Sequence, residues 1–357
     1  MGIVPSNTAR RTTQTNDIQE EKFSCIAPSE SSTIVRAARG TTQNSETPSH
    51  SVIDHESYSD CIEDPRRSTS IVNKTNQERN KHLKDCNVFL FQEVILSGEI
   101  DSTPPDYFGI VSLSDGRVIV VDLEHNTCCS YDSSYTYIAE CTLSSRPWDI
   151  CTVDIDEVAV TLPDENKIQF LKIGDKMQPS GNIITRRMCI SLVALNKTEL
   201  VYVGTKKDET TYYWGTITRD GREKSCFHIH RSNMEYYDVK IAINSSNTLV
   251  YIACYSVGTV YCFDLDGMKH FEYKVQEGGN QGFPRSIALD SENNVYVVVR
   301  NLHSIHRLSP DCQLRQVVKD MIPKFPMAIC FKQSGDNFLL TSSFIHTAKI
   351  CYSYKLN

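Results

Sequence analysis

Residues Phe283–Leu308 read FPRSIALDSENNVYVVVRNLHSIHRL, and the fold of the chain is legible in that stretch. A short apolar run, Ile287-Ala288-Leu289, reaches Asp290. The polar turn Ser291-Glu292-Asn293-Asn294 follows, then the β-rich run Val295–Val299, a break at Arg300-Asn301, and a third run, His303–Leu308. Short β-branched and aromatic runs joined by tight polar turns predict an antiparallel meander. Looser copies recur along the chain. Their first strands are anchored at Ile110, Ile150, Leu192, Ile241, Ile287 and Ile329, spaced 40 to 49 residues apart. A meander repeating at that period is the signature of a β-propeller blade. Asp115-Gly116, Asp220-Gly221 and Asp266-Gly267 each join two predicted strands, as hairpin turns do.

The predicted fold is therefore all-β, a six-bladed propeller over residues 88–357. The sixth meander holds only three strands before Asn357, and the apolar run Val88–Leu96 (VFLFQEVIL) has no other partner. Both features are satisfied if the N-terminal run becomes the outer strand of the last blade, closing the ring and covering an exposed edge.

Ahead of the propeller the texture differs. Residues 1–81 are rich in Ser, Thr, Asn, Gln and Glu, with no sustained hydrophobic period. Such a segment buries too little apolar surface to offset its ordering entropy and is expected to be a disordered tail. A frayed helix over Arg66–Lys84 is the one weak helical signal. Met1-Gly2-Ile3-Val4-Pro5-Ser6 fits the N-myristoylation pattern and makes Gly2 a lipidation candidate. A single acyl chain binds membrane only marginally, so a membrane is a partner only if Gly2 is acylated.

The whole chain carries a net charge of −7. Most of that charge falls beyond Lys81, which argues against bulk attraction to nucleic acid but not against a local basic face. No apolar run reaches signal-peptide or membrane-spanning length, so a cytoplasmic location is expected. The 14 cysteines show no C-x-x-C spacing. Cys151, Cys189, Cys254, Cys262, Cys330 and Cys351 fall in predicted strands, where they should pack as small reduced hydrophobes. No cofactor or metal is implied.

The blades resemble NHL repeats. The resemblance rests on Gly282-Phe283-Pro284-Arg285-Ser286-Ile287-Ala288-Leu289-Asp290, Asn294-Val295-Tyr296-Val297, Asn301 and Ser304-Ile305-His306-Arg307-Leu308. Arg146-Pro147-Trp148-Asp149-Ile150 and Phe325-Pro326-Met327-Ala328-Ile329 repeat its opening element. The set is similar to the propeller of tripartite-motif-like proteins, and it implies a binding module. Full members of that family carry RING, B-box and coiled-coil segments; here only Cys25 and Cys61 precede Lys81, too few for those zinc modules, and no heptad run is present.

Propellers bind through the face built by the loops leading into each first strand and those between second and third strands, here termed the upper face. Its candidate binding residues are Arg146, Trp148, Arg187, Lys206, Lys207, Tyr237, Arg285, Arg300, His303 and Lys324. Trp148 is also read as a wedge between blades, and the cations as partners of acids such as Asp208 and Glu209. Arginines and aromatics on one rim suit a protein surface or single-stranded RNA. The leading reading is a monomeric, non-enzymatic module recognising another protein. RNA binding through the same face is the alternative, and a lactonase-like propeller hydrolase the second alternative. Catalysis is not expected, because Asp149 and Asp290 would not face one point and no other acid, base or metal cage converges.

Overall fold

The structure, a computed structural model, describes residues 88–96, 105–206, 211–229, 239–320, 322–332, 337–343 and 350–356, with the strand path alone for 88–95 and 350–356. The tail 1–81, Gly2, Lys207, Tyr237, Asp208 and Glu209 lie outside the described residues.

Five four-stranded blades are each continuous in the chain. Blade 1 comprises Tyr107–Ser112, Val118–Asp122, Thr127–Tyr131 and Tyr137–Thr142; blade 2, Asp149–Asp154, Glu157–Leu162, Lys167–Ile173 and Met177–Ile184. Blade 3 comprises Met188–Asn196, Glu199–Thr205, Tyr212–Thr218 and Phe227–Ile229; blade 4, Val239–Ile243, Leu249–Cys254, Thr259–Asp264 and Lys269–Lys274. Blade 5 comprises Pro284–Leu289, Val295–Val299, Ser304–Leu308 and Leu314–Val318. The last four-stranded sheet is composite. Pro326–Phe331, Asn337–Ser342 and Ile350–Leu356 come from the C-terminal end, and Val88–Ile95 pairs antiparallel with Ile350–Leu356 as the outermost strand. The six first strands, one from each four-stranded sheet, stand side by side in a closed ring around one channel. No α-helix occurs among the described residues.

Burial follows position within the blade. Second strands are the most buried, without exception along Val118–Asp122, Glu157–Leu162 and Val295–Val299 and at all but the end residues of the others. They are sandwiched between neighbouring blades, which is why they read as continuous apolar runs. Outer strands are mostly exposed, as in Tyr137–Thr142, Met177–Ile184 and Leu314–Val318. These three carry no apolar pattern that marks them in the sequence, whereas the equally wetted Lys269–Lys274 is marked by the Asp266-Gly267 hairpin that leads into it. Between blades, apolar side chains from adjacent sheets merge into shared clusters; one unites Val158 and Val160 of blade 2 with Ile119 and Val121 of blade 1.

The motif residues of blade 5 serve as staples. Asp290 ends the first strand and accepts the backbone N–H groups of Glu292 (3.0 Å) and Asn294 (2.8 Å) on one oxygen, and Asn294 Nδ2 (2.8 Å) and Tyr296 OH (3.2 Å) on the other. That arrangement holds Asn293 in the left-handed region at φ 62°. Asn301 accepts Phe283 N–H (2.7 Å) and donates to the Gln281 carbonyl (2.9 Å), fixing the loop that leads into the blade. In the Asp-Gly hairpins only the glycine takes positive φ, 88° at Gly116, 85° at Gly221 and 89° at Gly267, where a side chain would be strained. Cys151, Cys189, Cys254, Cys262 and Cys330 are buried within the blades as free thiols.

Candidate functional site

The first strand of each blade begins at the upper face, and the second residues of three of them meet across the channel. Phe108, Lys240, Arg285 and Met327 are all buried, and the first three meet, with Lys240 Nζ 5.7 Å from the centre of the Phe108 ring and Arg285 closer still, forming a throat. Lys240 donates to Asp149 Oδ1 (2.7 Å), to the Trp148 carbonyl (2.8 Å) and, at 3.5 Å, to the Phe108 carbonyl. Asp149 Oδ2 accepts Leu192 N–H (3.2 Å) and the Ser191 hydroxyl, and Ser191 Oγ in turn accepts Ile241 N–H (3.1 Å). Blades 1 to 4 are thereby laced together across the axis. Burial holds the Lys240 ammonium below the usual lysine pKa, against the opposing pull of Asp149. Arg285 lies with its guanidinium carbon 4.0 Å from the centre of the Phe108 ring, and Trp148 meets that ring edge-on at 4.8 Å. Above the throat, burial pushes the Asp106 carboxyl up, opposed by Arg285 and Arg300.

Sequence reasoning missed Lys240 and Asp106. A lysine inside the apolar strand VKIAI was the available signal, since an ammonium there must find an acceptor. Asp149 and Asp290 do sit at opposite ends of their strands, so they do not converge. Among the described residues no cluster of three or more His, Cys, Asp or Glu side chains could hold a metal ion.

The expected binding residues separate into three groups. Arg285 is not on the rim; it is buried in the throat. Trp148 is half-buried beside it and packs across blades against Phe108, as expected of a wedge. Arg187 is held within blade 3, paired with Glu223 (2.6 Å), bonded to Tyr202 OH (3.3 Å) and stacked 4.6 Å over Tyr213. Lys206 is exposed, 5.9 Å from the same ring, and Arg146 is exposed between blades 1 and 2.

The third group forms a continuous arc on the upper face over blades 4, 5 and the composite sheet. Tyr255 stacks on Phe283 at 5.1 Å and 28°. The Phe283 carbonyl accepts Arg300 N–H (3.2 Å), and the Arg300 guanidinium lies 5.7 Å from the Phe325 ring. Phe325 N–H donates to His303 Nδ1 (3.1 Å), and the two rings meet edge-on at 5.0 Å. Lys324 is exposed beside them. His303 closes a single 3-10 turn, Arg300–Leu302, in the left-handed region at φ 49°. The matching position of blade 2 is Asn166, also at φ 49°. Phe325 itself sits at φ 53° with 40% of its surface exposed. A bulky residue in that region is an outlier that costs about 1–3 kcal/mol. Here it displays an aromatic ring to solvent.

Comparison with known protein families and with curated proteins finds no match. Solved structures do match in shape. Virginiamycin B lyase from Staphylococcus aureus superposes with a TM-score of 0.52 at 14% identity, over 76% of this chain and 100% of the lyase. Luciferin-regenerating enzyme matches with a TM-score of 0.55 at 16% identity, over 76% and 95%. The Cps50 (Swd1) β-propeller domain of Myceliophteria thermophila matches with a TM-score of 0.53 at 10% identity, over 71% and 84%. The chain is a β-propeller. The expectation that it is not an enzyme is corrected by these similarities, since propellers of this shape include a lyase and luciferin-regenerating enzyme. No described helix is long and apolar enough to cross a membrane.

Proposed function

We propose that this NHL-like propeller recognises a protein partner through the upper-face arc Tyr255–Phe283–Arg300–Phe325–His303, with Phe325 as the anchor. The observation that carries this reading is Phe325. Its backbone is held in an unfavourable conformation, by the His303 bond on its amide side and by Ser343 N–H donating to its carbonyl (3.1 Å). Strain retained to expose an aromatic ring beside a guanidinium matches the composition of interface hot spots, which are enriched in aromatics and arginine. Arg300 and Lys324 favour an acidic or carboxylate-bearing segment, because guanidinium groups bind such groups through charge-assisted hydrogen bonds. Protein is favoured over RNA because acids share the face: Asp106 lies close enough to Arg285 and Arg300 to feel both charges, and phosphate backbones are recognised by contiguous positive surfaces.

The test is selection of displayed random peptides on the full-length protein, followed by affinity measurement on variants. Phe325→Asn removes the ring while keeping a residue that tolerates positive φ. Selected peptides should be acidic and aromatic, and Phe325→Asn should weaken them by about 2 kcal/mol or more, roughly thirtyfold. Undiminished binding by folded Phe325→Asn and Arg300→Glu variants would move the interface elsewhere. Recovery of bound RNA from cells, lost in the same two variants, would replace the protein reading with the RNA one.

A further inference from the structure

Thr127–Tyr131 and Tyr137–Thr142, the third and outer strands of blade 1, pair antiparallel, and Cys128 stands directly opposite Cys141. Opposite residues on antiparallel strands share a face of the sheet and have Cα atoms about 4.5–5.5 Å apart. A disulfide spans about 4.4–6.8 Å between Cα atoms, so the backbone already holds this pair within bridging distance. Both are free thiols. Cys128 is fully buried in the apolar cluster between blades 1 and 2, and Cys141 packs against that cluster from the outer strand. Cys141 is partly exposed, so one thiol is open to solvent and the other is sheltered behind it. Cys129, next in the chain, lies in a different cluster and stands opposite Glu140. No other two cysteines stand opposite each other in the described strand pairings.

We infer that Cys128 and Cys141 are a reversible oxidation site, closed to a disulfide by hydrogen peroxide. The Cys141 thiolate attacks one peroxide oxygen and the O–O bond breaks. Hydroxide leaves and takes up a proton to become water, and Cys141 is left as a sulfenic acid. Cys128 then gives up its proton and its sulfur attacks the Cys141 sulfur; the S–O bond breaks and the oxygen departs as a second water. Two thiols are oxidised while one peroxide is reduced to two waters, and a dithiol reverses the bond by exchange. Only the thiolate reacts. Burial pushes the Cys141 thiol up and the Cys128 thiol well above the ordinary range, so closure should quicken as pH rises. The bond ties the wetted outer strand of blade 1 to the strand beside it. It uses no residue of the upper-face arc and is independent of the protein-recognition reading.

The test is peptide mapping of the full-length protein. Reduced protein is treated with hydrogen peroxide, its remaining thiols are alkylated, and it is digested with chymotrypsin without reductant. Tyr131, Tyr135 and Tyr137 supply cleavage points between the two cysteines. Two peptides joined through Cys128 and Cys141 are expected, lighter together by two hydrogen atoms than their thiol forms and separated by dithiothreitol. The link should form equally in Cys129→Ala and form faster at about pH 9 than at about pH 7. It should be lost in Cys141→Ser, a change at a partly exposed position. The urea midpoint of the oxidised protein should move up and return on reduction. No link in folded protein after prolonged peroxide treatment, or Cys141 joined to another cysteine in its place, overturns the site. An oxidised protein less stable than the reduced one overturns the view that the folded sheet accommodates the bond.

Discussion

Replacing Lys240 by methionine removes the ammonium while keeping a stem of similar length in the throat. At 2.7 Å from Asp149 and an effective dielectric of about 20, the attraction lost is about 6 kcal/mol. Desolvation of the buried ammonium, the effect that also holds its pKa down, offsets part of that. The net cost is decided by what stays behind. Asp149 remains buried with only Ser191 and Leu192 as donors, and the Trp148 and Phe108 carbonyls lose theirs. Removing one member of a buried pair costs about 3–5 kcal/mol, because the survivor is uncompensated. The expected loss for Lys240→Met is therefore about 3–4 kcal/mol, measured by urea unfolding with tryptophan fluorescence; Trp148 reports from the throat itself. The double variant Lys240→Met/Asp149→Asn should recover at least half of it. An amide still accepts from Ser191 and Leu192 and can donate to the freed carbonyls. A single variant within about 1 kcal/mol of wild type, or a double variant less stable than the single one, would refute the view that this pair staples the blades.

Closure by Val88–Ile95 predicts that deleting residues 1–80 leaves the unfolding transition nearly unchanged. Deleting residues 1–97 should instead expose the edge of Ile350–Leu356 and cause aggregation; a soluble, cooperatively unfolding 98–357 fragment would disprove it. On the lower face Glu157 accepts both terminal nitrogens of Arg219 at 2.7 Å and the Ser180 hydroxyl at 2.6 Å, and Arg219 first, then Ser180, holds its carboxyl below the usual value. A depressed carboxylate stabilises fully above the unfolded pKa of about 4.3 and loses that contribution as pH falls through the lowered folded value. With Arg219 about a third exposed and screened, Glu157→Gln should cost about 1–2 kcal/mol at neutral pH. The gap to wild type should close below about pH 4, and a gap that is flat from neutral to acid pH would contradict this origin.

The sequence by itself determined the propeller: the 40-to-49-residue spacing of Ile110, Ile150, Leu192, Ile241, Ile287 and Ile329 places one first strand per sheet, and the orphan run Val88–Leu96 pointed to its place at the outer edge. Burial imposes such patterns, so inner and second strands announce themselves, while an outer strand, wetted by solvent, does so only where a hairpin such as Asp266-Gly267 marks its start. The rim was legible as loops but not as surfaces. Arg187, Arg285 and Arg300 read alike in sequence, yet one is paired with Glu223, one is buried over Phe108 and one faces Phe325. Which of these occurs depends on side chains from other blades, far away in the chain. Only the closed ring brings Lys240 to Asp149, and Asp149 to Ser191. A period fixes where strands fall along the chain; what meets across the axis is set by their convergence in space.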